Sequence, residues 1–310
     1  MEAMVMEPSN RYFKQGELLV QILPLLANYE CFALKGGTAI NLFVRDLPRL
    51  SVDIDVTYMP LKPRDIALKE IDATFRALKG DLEKHLPGVQ VTSTVLLNSD
   101  VIYKLIAQLK TIQVKIETTP VMRGVVEESV EMEASPQTQE KFGYAKLPVV
   151  AFNDLYAGKL CAALSRQHPR DLFDVRQLLD IEGLSKELFE VFLIYLICSN
   201  KPIAELLAPR EKDFKQEFMN EFQGMTSESV SPAMLTQTRS ELIAAIRHNL
   251  GESHRQFLMS VKRGKPDWGL LSHIDIGKFP AVQWKLHNIA NMAKSKHQAA
   301  IVKLEKVLYG

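Results

Sequence analysis

The stretch from residue 35 to residue 58 constrains the fold of this chain more than any other. A short apolar segment, ECFALK, is typical of a buried strand, and Gly36 and Gly37 end it before a helix-like run, AINLFV. The next segment, RLSVDIDVTY, alternates between apolar and polar residues. Successive strand side chains point to opposite sides, so Asp53 and Asp55 share the polar face of a predicted strand.

The glycine turn has the features of a phosphate-binding site. The first N–H groups of a helix are unpaired and lie at the positive end of its dipole, and glycines let a phosphate approach the backbone. Thr38 adds a hydroxyl group. Lys35 is either a further phosphate ligand or a surface charge at the end of the strand. We therefore predict that Lys35, Gly36, Gly37 and Thr38 bind the phosphates of a nucleotide.

The two aspartates have the spacing of a metal site. Their carboxylates lie about 7 Å apart along the strand and repel each other unless a cation lies between them. Such hard oxygen ligands suit Mg²⁺, with Mn²⁺ as a substitute, when the ion is shared with substrate phosphates. In the alternating segment TIQVKIET, Glu117 has the facing of a third ligand. The alternative is a polar strand face that binds no metal, and the upstream glycine turn favours the metal site.

The remaining pattern divides the chain into two parts with a boundary near residue 150. Further helices are predicted at 17–28 and 63–78, the latter with Gly80 just after its end, and further strands at 89–97, 102–109 and 111–118. The acidic segment 125–140 is predicted to be a solvated loop or an edge strand. From about Phe152 onward the pattern is helical. Residues 1–150 are therefore expected to form an α/β core domain and residues 151–310 a helical domain.

A second cluster of charged residues lies where two predicted helices meet. Lys159 and Arg166 fall on one side of the helix that starts at Phe152, and Pro169 breaks the chain before a second helix. On that second helix, Asp171 and Asp174 share one face. We expect the two cations to bind triphosphate oxygens, with the Lys159 ammonium exposed and an aspartate orienting one cation. The alternative is a structural network of ion pairs.

These motifs resemble those of a known family. Gly37 and Thr38, followed by a helix and the Asp53-Ile54-Asp55 motif, are similar to the signature of the DNA polymerase β-like nucleotidyltransferase superfamily. Two segments resemble sequences of the AbiEii group of nucleotidyltransferase toxins: LKGGTAINLFVRDLPRLSVDIDVTY and the block at residues 149–179. Thr38 stands where the superfamily often has Ser, which retains the hydroxyl. The recognisable part covers about residues 30–180.

The resemblance implies a fold and a reaction. The expected fold is α/β (α+β), a mixed sheet with flanking helices followed by a mostly helical C-terminal domain that completes the NTP cleft. The expected enzyme transfers a nucleoside monophosphate from an NTP to an acceptor hydroxyl and releases pyrophosphate. Asp53 and Asp55 would hold Mg²⁺, and Glu117 would aid deprotonation of the acceptor. Lys159, Asp171 and Asp174 would complete the catalytic set.

The resemblance also implies a biological role. The group contains the toxins of type IV toxin–antitoxin and abortive phage-infection systems, which points to antiviral defence. The implied acceptor is the 3′ end of a tRNA, whose modification blocks translation, and the implied partner is an antitoxin encoded nearby. Two alternatives stay open: transfer to a protein or small-molecule hydroxyl, and a catalytically weak protein that binds nucleotide or RNA.

The sequence lacks the motifs of several other classes of enzyme. The chain has no GxxxxGK[ST], HExxH or GxSxG motif, which removes the basis for a P-loop NTPase, a zincin or a serine hydrolase. The N-terminus does not resemble a signal peptide and no apolar run is long enough to span a bilayer, so we expect a cytoplasmic protein without a membrane partner. Residues 246–310 are basic and contain Trp284. This tail is either an RNA-binding surface or a solvated helical face.

Overall fold

The computed structural model describes residues 10–272 and 274–310, which divide into two compact units. The first unit contains the described residues up to Leu155 together with Phe222–Val230. The second unit contains Tyr156–Glu221 and Ser231–Gly310. The boundary near residue 150, drawn from the sequence, did not anticipate that Phe222–Val230 returns to the first unit.

A mixed sheet forms the centre of the first unit. Within the described residues its seven strands are β1 (Phe32–Lys35), β2 (Asp53–Tyr58), β3 (Gln90–Val95), β4 (Ile102–Leu109), β5 (Ile112–Thr118), β6 (Val130–Glu133) and β7 (Lys146–Val149). Their order across the sheet is β3-β4-β5-β2-β1-β7-β6. The pairs β2–β5 and β1–β7 are parallel and the others are antiparallel. The predicted mixed α/β architecture is confirmed.

Four helices belong to this unit within its described residues: α1 (Arg11–Leu26), α2 (Gly36–Ala39), α3 (Arg64–His85) and α4 (Pro136–Phe142). Helix α2 continues directly into a π-helical turn at Ile40–Val44, so the predicted helix after the glycines is present. The predicted end of α3 at Leu78, just before Gly80, is wrong, since the helix continues to His85. Leu78 and Leu82, one turn apart, are both fully buried, and their packing carries the helix past the glycine.

In the middle of the first unit, β6 matches a predicted alternative, whereas helix α4 and strand β7 were not predicted. The acidic segment forms β6, which lies at the edge of the sheet, as one of the two predicted alternatives had it. Helix α4 follows, with the Ser135 hydroxyl accepting a hydrogen bond from the Thr138 N–H as a cap. Strand β7 then pairs in parallel with β1.

The strand predicted from Arg49 begins only at Asp53, because Leu50 donates its N–H to the Met225 carbonyl instead.

The second unit is helical, as predicted. It starts within α5 (Phe152–Arg166), and the helices that follow in the described residues are α6 (Pro169–Ile181), α7 (Lys186–Cys198), α8 (Ile203–Leu207), α9 (Lys215–Glu221), α10 (Pro232–Asn249), α11 (Glu252–Lys262), α12 (Pro280–Ala290) and α13 (Lys294–Tyr309). Helix α7 is buried along most of its length. Among the described residues, no helix has both the length and the apolar character required to cross a membrane.

Candidate active site

Three neighbouring strands bring the predicted carboxylates of the first unit to one face. In the register of the sheet, Lys35 of β1 lies opposite Asp55 of β2, and Asp55 lies opposite Glu117 of β5. Residues paired across adjacent strands share a face of the sheet. Asp53, two residues before Asp55, lies on the same face and opposite Lys115. The result is a cluster of three carboxylates and two lysines on one face of β1, β2 and β5, in which Asp55 lies between Lys35 and Glu117.

The two glycines of the turn face different neighbours. Gly36 has a φ of +73°, in the left-handed region, and a Cβ at this position would lie 2.6 Å from Oδ2 of Asp55. A Cβ on Gly37 would lie 2.6 Å from Nη2 of Arg49, a buried residue whose Nη1 donates to the Leu50 carbonyl at 2.9 Å. Each glycine therefore allows a charged side chain to approach the backbone. The sequence pattern gave Arg49 no role, because its contact with Gly37 is visible only in the folded structure.

Thr38 points its hydroxyl into the protein. The side chain is buried, and its Oγ1 lies 2.8 Å from the Ser51 hydroxyl and donates to the Asp53 carbonyl at 2.5 Å. These bonds fix the start of β2 beside the turn. The predicted contact of Thr38 with phosphate stays a prediction, and the hydroxyl already has two partners inside the fold.

The charges of this face act strongly on one another. Burial raises the pKa of Asp55 above its ordinary value, and the negative charges of Asp53 and Glu117 add to the rise, whereas Lys35 and Lys115 oppose it. Burial lowers the pKa of Lys35, against the effect of Asp55 and Glu117. A further cation near Asp55 would relieve the excess negative charge at this position.

Lys115 occupies the acidic cluster in the structure. Its Nζ lies 3.1 Å from Oε1 of Glu117 and 3.9 Å from Oδ1 of Asp53. Although burial lowers the pKa of Lys115, the attraction of Asp53 and Glu117 more than offsets this and raises the value. The sequence pattern placed Lys115 on the polar face of β5 but gave it no role. The ion pairs show that this residue is an integral part of the cluster.

The donor set of this cluster fits a divalent cation by chemistry and register. Asp53, Asp55 and Glu117 supply hard carboxylate oxygens from two adjacent strands. In the described part of the chain, however, no group of three His, Cys, Asp or Glu side chains is already arranged around a metal position. The Asp53 and Glu117 carboxylates face the Lys115 ammonium instead, so a metal ion bound between these two carboxylates would compete with this lysine.

The charged residues predicted in the second unit form one connected cluster. Nζ of Lys159 on α5 lies 3.0 Å from Oδ1 of Asp171 and 2.8 Å from Oδ2 of Asp174, both on α6. Arg166 donates to the Asp171 carboxylate from Nε at 2.5 Å and from Nη2 at 2.9 Å. The prediction of an exposed Lys159 head is wrong, since only 5% of its side chain is exposed. Two buried carboxylates require a cation beside them.

The break between α5 and α6 sets the geometry of this cluster. Pro169 lies in the first turn of α6, and the His168 side chain caps the helix by accepting a hydrogen bond from the Arg170 N–H. Burial opposes ionisation of Asp171, but Lys159 and Arg166 more than offset it, so the pKa of Asp171 lies well below its ordinary value. Asp171 thus favours its ionised form and pairs with two cations, Lys159 and Arg166. Phosphate binding by Lys159 and Arg166 stays a prediction.

The basic C-terminal segment is not a uniform charged face. Lys285 donates to the Ser199 carbonyl, and burial lowers its pKa. Trp284, by contrast, is exposed and stacks on His287 with the ring centroids 5.7 Å apart. RNA binding by this segment stays a prediction.

Comparison with known proteins gives a family and a related structure. The family model described as nucleotidyl transferase AbiEii toxin of a type IV toxin–antitoxin system matches residues 17–288, well beyond the residues 30–180 expected from the motifs. Among solved structures, MenT4, a nucleotidyltransferase toxin from Mycobacterium tuberculosis H37Rv, has a similar fold with a TM-score of 0.60 and 16% sequence identity. The similarity covers 93% of this chain and 99% of that chain. No curated protein gives a significant sequence match.

The likeness to MenT4 supports the fold. The family match shows in addition that the protein is a nucleotidyltransferase. That match includes the glycine turn, the aspartate pair, Glu117 and the charged cluster of α5 and α6. The protein therefore belongs to the AbiEii family of nucleotidyltransferase toxins of type IV toxin–antitoxin systems.

Proposed function

We propose that the protein uses Mg²⁺, or Mn²⁺ in its place, to transfer a nucleoside monophosphate from an NTP to the 3′ end of a tRNA. The observation that supports this best is the row of Lys35, Asp55 and Glu117 across adjacent strands, beside a turn of two glycines. A nucleotidyl transfer requires oxygen ligands for a divalent cation and a backbone that phosphates can approach. Both adjoin Asp55, which lies opposite Glu117 in the sheet and whose carboxylate lies against Gly36.

In the proposed reaction the carboxylates of the cluster hold the metal, and Glu117 has a second task as the base. Asp53, Asp55 and Glu117 would hold the metal, which when bound neutralises phosphate charge and makes the acceptor hydroxyl more acidic. The turn at Gly36–Thr38 and Lys35 bind the phosphate groups. Glu117 accepts the proton as the acceptor oxygen bonds to the α-phosphorus. The bond from this phosphorus to the bridging oxygen breaks, and pyrophosphate leaves.

A role in phosphate binding is also proposed for the charged cluster of the second unit. The Arg166 side chain is 63% exposed although its guanidinium is bonded to Asp171, so part of it is accessible to an anion. Lys159 is enclosed by Asp171 and Asp174 and positions these carboxylates. In this proposal Arg166 contacts phosphate and the other three residues hold its guanidinium in place.

The proposed biological role is that of a cytoplasmic toxin that blocks translation by modifying tRNA. A cognate antitoxin, encoded by a neighbouring gene, would restrain it. The sequence of the adjacent open reading frame tests this role: a short upstream gene for a winged-helix-like protein supports it. The absence of any neighbour that suppresses toxicity on co-expression would contradict it.

The reaction can be tested by incubating the full-length protein with each radiolabelled NTP and total RNA, with Mg²⁺ or with EDTA. Mg²⁺-dependent label in tRNA supports the proposal. Label in protein alone contradicts it and favours a protein acceptor. Bound nucleotide without any transfer would favour a catalytically weak binding protein.

A pair of variants assigns the reaction to the cluster. Asp55→Asn is expected to abolish transfer without unfolding the protein, because burial already opposes the charge of this carboxylate. Asp65→Asn, in the exposed first turn of α3, is the matched control and should retain full activity. Transfer by Asp55→Asn at the rate of the control would place the metal site elsewhere.

A further inference from the structure

A cavity of about 450 Å³ lies within the second unit, beside the C-terminal end of α5. Its charged lining residues are one acidic residue, Glu205, and four basic ones: Lys201, Arg210, Lys212 and Lys303. None of these residues belongs to the predicted active site. A cavity of this volume can enclose a ligand of the size of a nucleotide.

Two of the lysines converge on one neutral oxygen. Nζ of Lys201 and Nζ of Lys212 both donate to the backbone carbonyl of Ser165, the latter at 3.4 Å. This carbonyl lies in the last turn of α5, at the negative end of the helix dipole. The carbonyl and the helix dipole offset only part of the two ammonium charges, and like charges held this close repel each other. Because they share this oxygen, the two ammonium groups lie close enough together for one anion to contact both.

The one carboxylate in the cavity is paired mainly with another lysine, Lys303. Glu205 forms an ion pair with Lys303 at 2.9 Å, and this hydrogen bond, ahead of weaker attraction to Lys201 and Arg210, lowers the pKa of Glu205. Three basic side chains, Lys201, Arg210 and Lys212, thus line one cavity, and in the described residues none of them forms an ion pair with a carboxylate.

A strained residue holds the basic segment in place. Gln167 has a φ of +53°, a left-handed conformation that costs a non-glycine residue stability, and its side chain is only 2% exposed. Its amide donates to the Arg210 carbonyl at 2.7 Å and accepts from the Lys212 N–H and from Arg239, each at 3.0 Å. Because these buried bonds fix the backbone from Arg210 to Lys212, the positive charges are presented by a rigid segment.

The rest of the lining is largely apolar: Leu164, Ala204, Ala208, Pro209 and Val307. The same cavity therefore has basic side chains that suit a phosphate group and an apolar wall that suits an uncharged group. We propose that it is a second phosphate-binding site, which holds a phosphate group of a nucleotide-containing ligand with the sugar or base against the apolar wall. The anion site is argued from the cavity itself, and the choice of a nucleotide rests on the proposed function. The phosphate belongs either to a free NTP or to an RNA backbone.

Binding can be measured apart from catalysis, in the full-length Asp55→Ala protein with EDTA present. The probes are tripolyphosphate, ATP and a short fluorescein-labelled single-stranded RNA. Lys212→Met and Arg210→Gln change exposed side chains, so folding should be retained, and each should weaken binding about tenfold. Lys215→Met, an exposed lysine on α9 outside the cavity, is the matched control and should leave affinity unchanged. Unfolding temperatures of all variants are compared with the parent.

The probes separate the two sources of phosphate. Weaker binding of RNA alone, with a salt dependence reduced by about one unit of slope, supports a backbone phosphate. Weaker binding of ATP and tripolyphosphate supports a free nucleotide. Unchanged affinity for every probe in both folded variants overturns the proposal. Displacement of RNA by a hexaglutamate peptide as readily as by unlabelled RNA also overturns it, because the cavity would then not select phosphate. Since Asp55 is absent and metal is chelated, a failure of the transferase proposal cannot cause either result.

Discussion

Gly36 meets two constraints that no other residue type satisfies together. Its left-handed backbone penalises any side chain, and the Asp55 carboxylate lies where a Cβ would be. We expect Gly36→Ala to lose transfer activity, because the methyl group displaces Asp55 from its place beside Glu117. It should also lower the free energy of unfolding by more than the ~1–2 kcal/mol of backbone strain.

Gly183 provides a matched control for this prediction. Its φ of +72° equals that of Gly36 within one degree, but a Cβ there would meet no atom within 4 Å. Gly183→Ala should therefore show the backbone strain alone and retain activity. Urea unfolding and the labelling assay compare the two variants, and equal losses in both would show that Asp55 tolerates the methyl group.

Lys115 should compete with metal for the acidic cluster. In Lys115→Met, Asp53 and Glu117 lose their nearest ammonium group, so repulsion among the carboxylates increases. We expect a lower unfolding temperature in EDTA and a larger rise on addition of Mg²⁺ or Mn²⁺ than in the wild type. Lys69→Met, an exposed lysine on α3, serves as the control. An unchanged response to metal in Lys115→Met would exclude competition.

At the scale of elements, the pair α5 and α6 is joined by buried charge. Lys159→Met leaves Asp171 with Arg166 but deprives Asp174 of the Lys159 ammonium, and loss of a partner from a buried ion pair costs about 3–5 kcal/mol. The additional change Asp174→Asn removes the buried negative charge and should restore part of the stability. Urea unfolding of both single variants and the double variant measures this coupling. Strictly additive losses would show that the two side chains act independently.

The same pair of helices should show a defined pH dependence. The pKa of Asp171 is lowered in the folded protein relative to its ordinary 3.8. A carboxylate of this kind stabilises the fold fully above its unfolded pKa, and the contribution is lost as the pH falls through the folded pKa. The stability difference between wild type and Asp171→Asn should therefore be constant from neutral pH to about pH 5 and shrink below about pH 4. A difference that already declines between pH 7 and pH 6 would contradict this assignment.

At the scale of the whole molecule, the chain returns to its first unit long after leaving it. Met225, fully buried, packs with Phe13 and Leu50, and its carbonyl accepts the Leu50 N–H at 2.8 Å. The neighbouring residue Arg49 lies against Gly37. The segment Phe222–Val230 thus supports the backbone behind the glycine turn.

This connection predicts the effect of a substitution far from the sheet in sequence. Met225→Ala should lower stability by about 2–5 kcal/mol and increase hydrogen exchange in the first unit, because it leaves a cavity against Phe13 and Leu50. Met219→Ala, whose side chain is 60% exposed on α9, should change stability by less than about 0.5 kcal/mol. Increased exchange confined to the second unit would contradict the prediction.

Local pattern was sufficient for much of the first unit. Alternation placed Asp53, Asp55 and Glu117 on the polar faces of β2 and β5, and the double glycine marked the passage from β1 to α2. These features depend on neighbouring residues, because the side-chain period of a strand and the freedom of glycine are properties of the local backbone. The motifs also sufficed to recognise the family that the comparisons confirm.

Contacts between distant residues were decided only by the tertiary structure. A period of two assigns the face of a strand but not its neighbours, so the pairing of Asp55 with Glu117 and the position of Lys115 in the acidic cluster depend on the order of the sheet. Burial of Lys159 follows from the packing of α5 against two carboxylates of α6. The sequence by itself determined which side chains are available for nucleotide chemistry. The tertiary structure determined which charges lie together, because electrostatic interaction depends on distance and burial in space, not on separation along the chain.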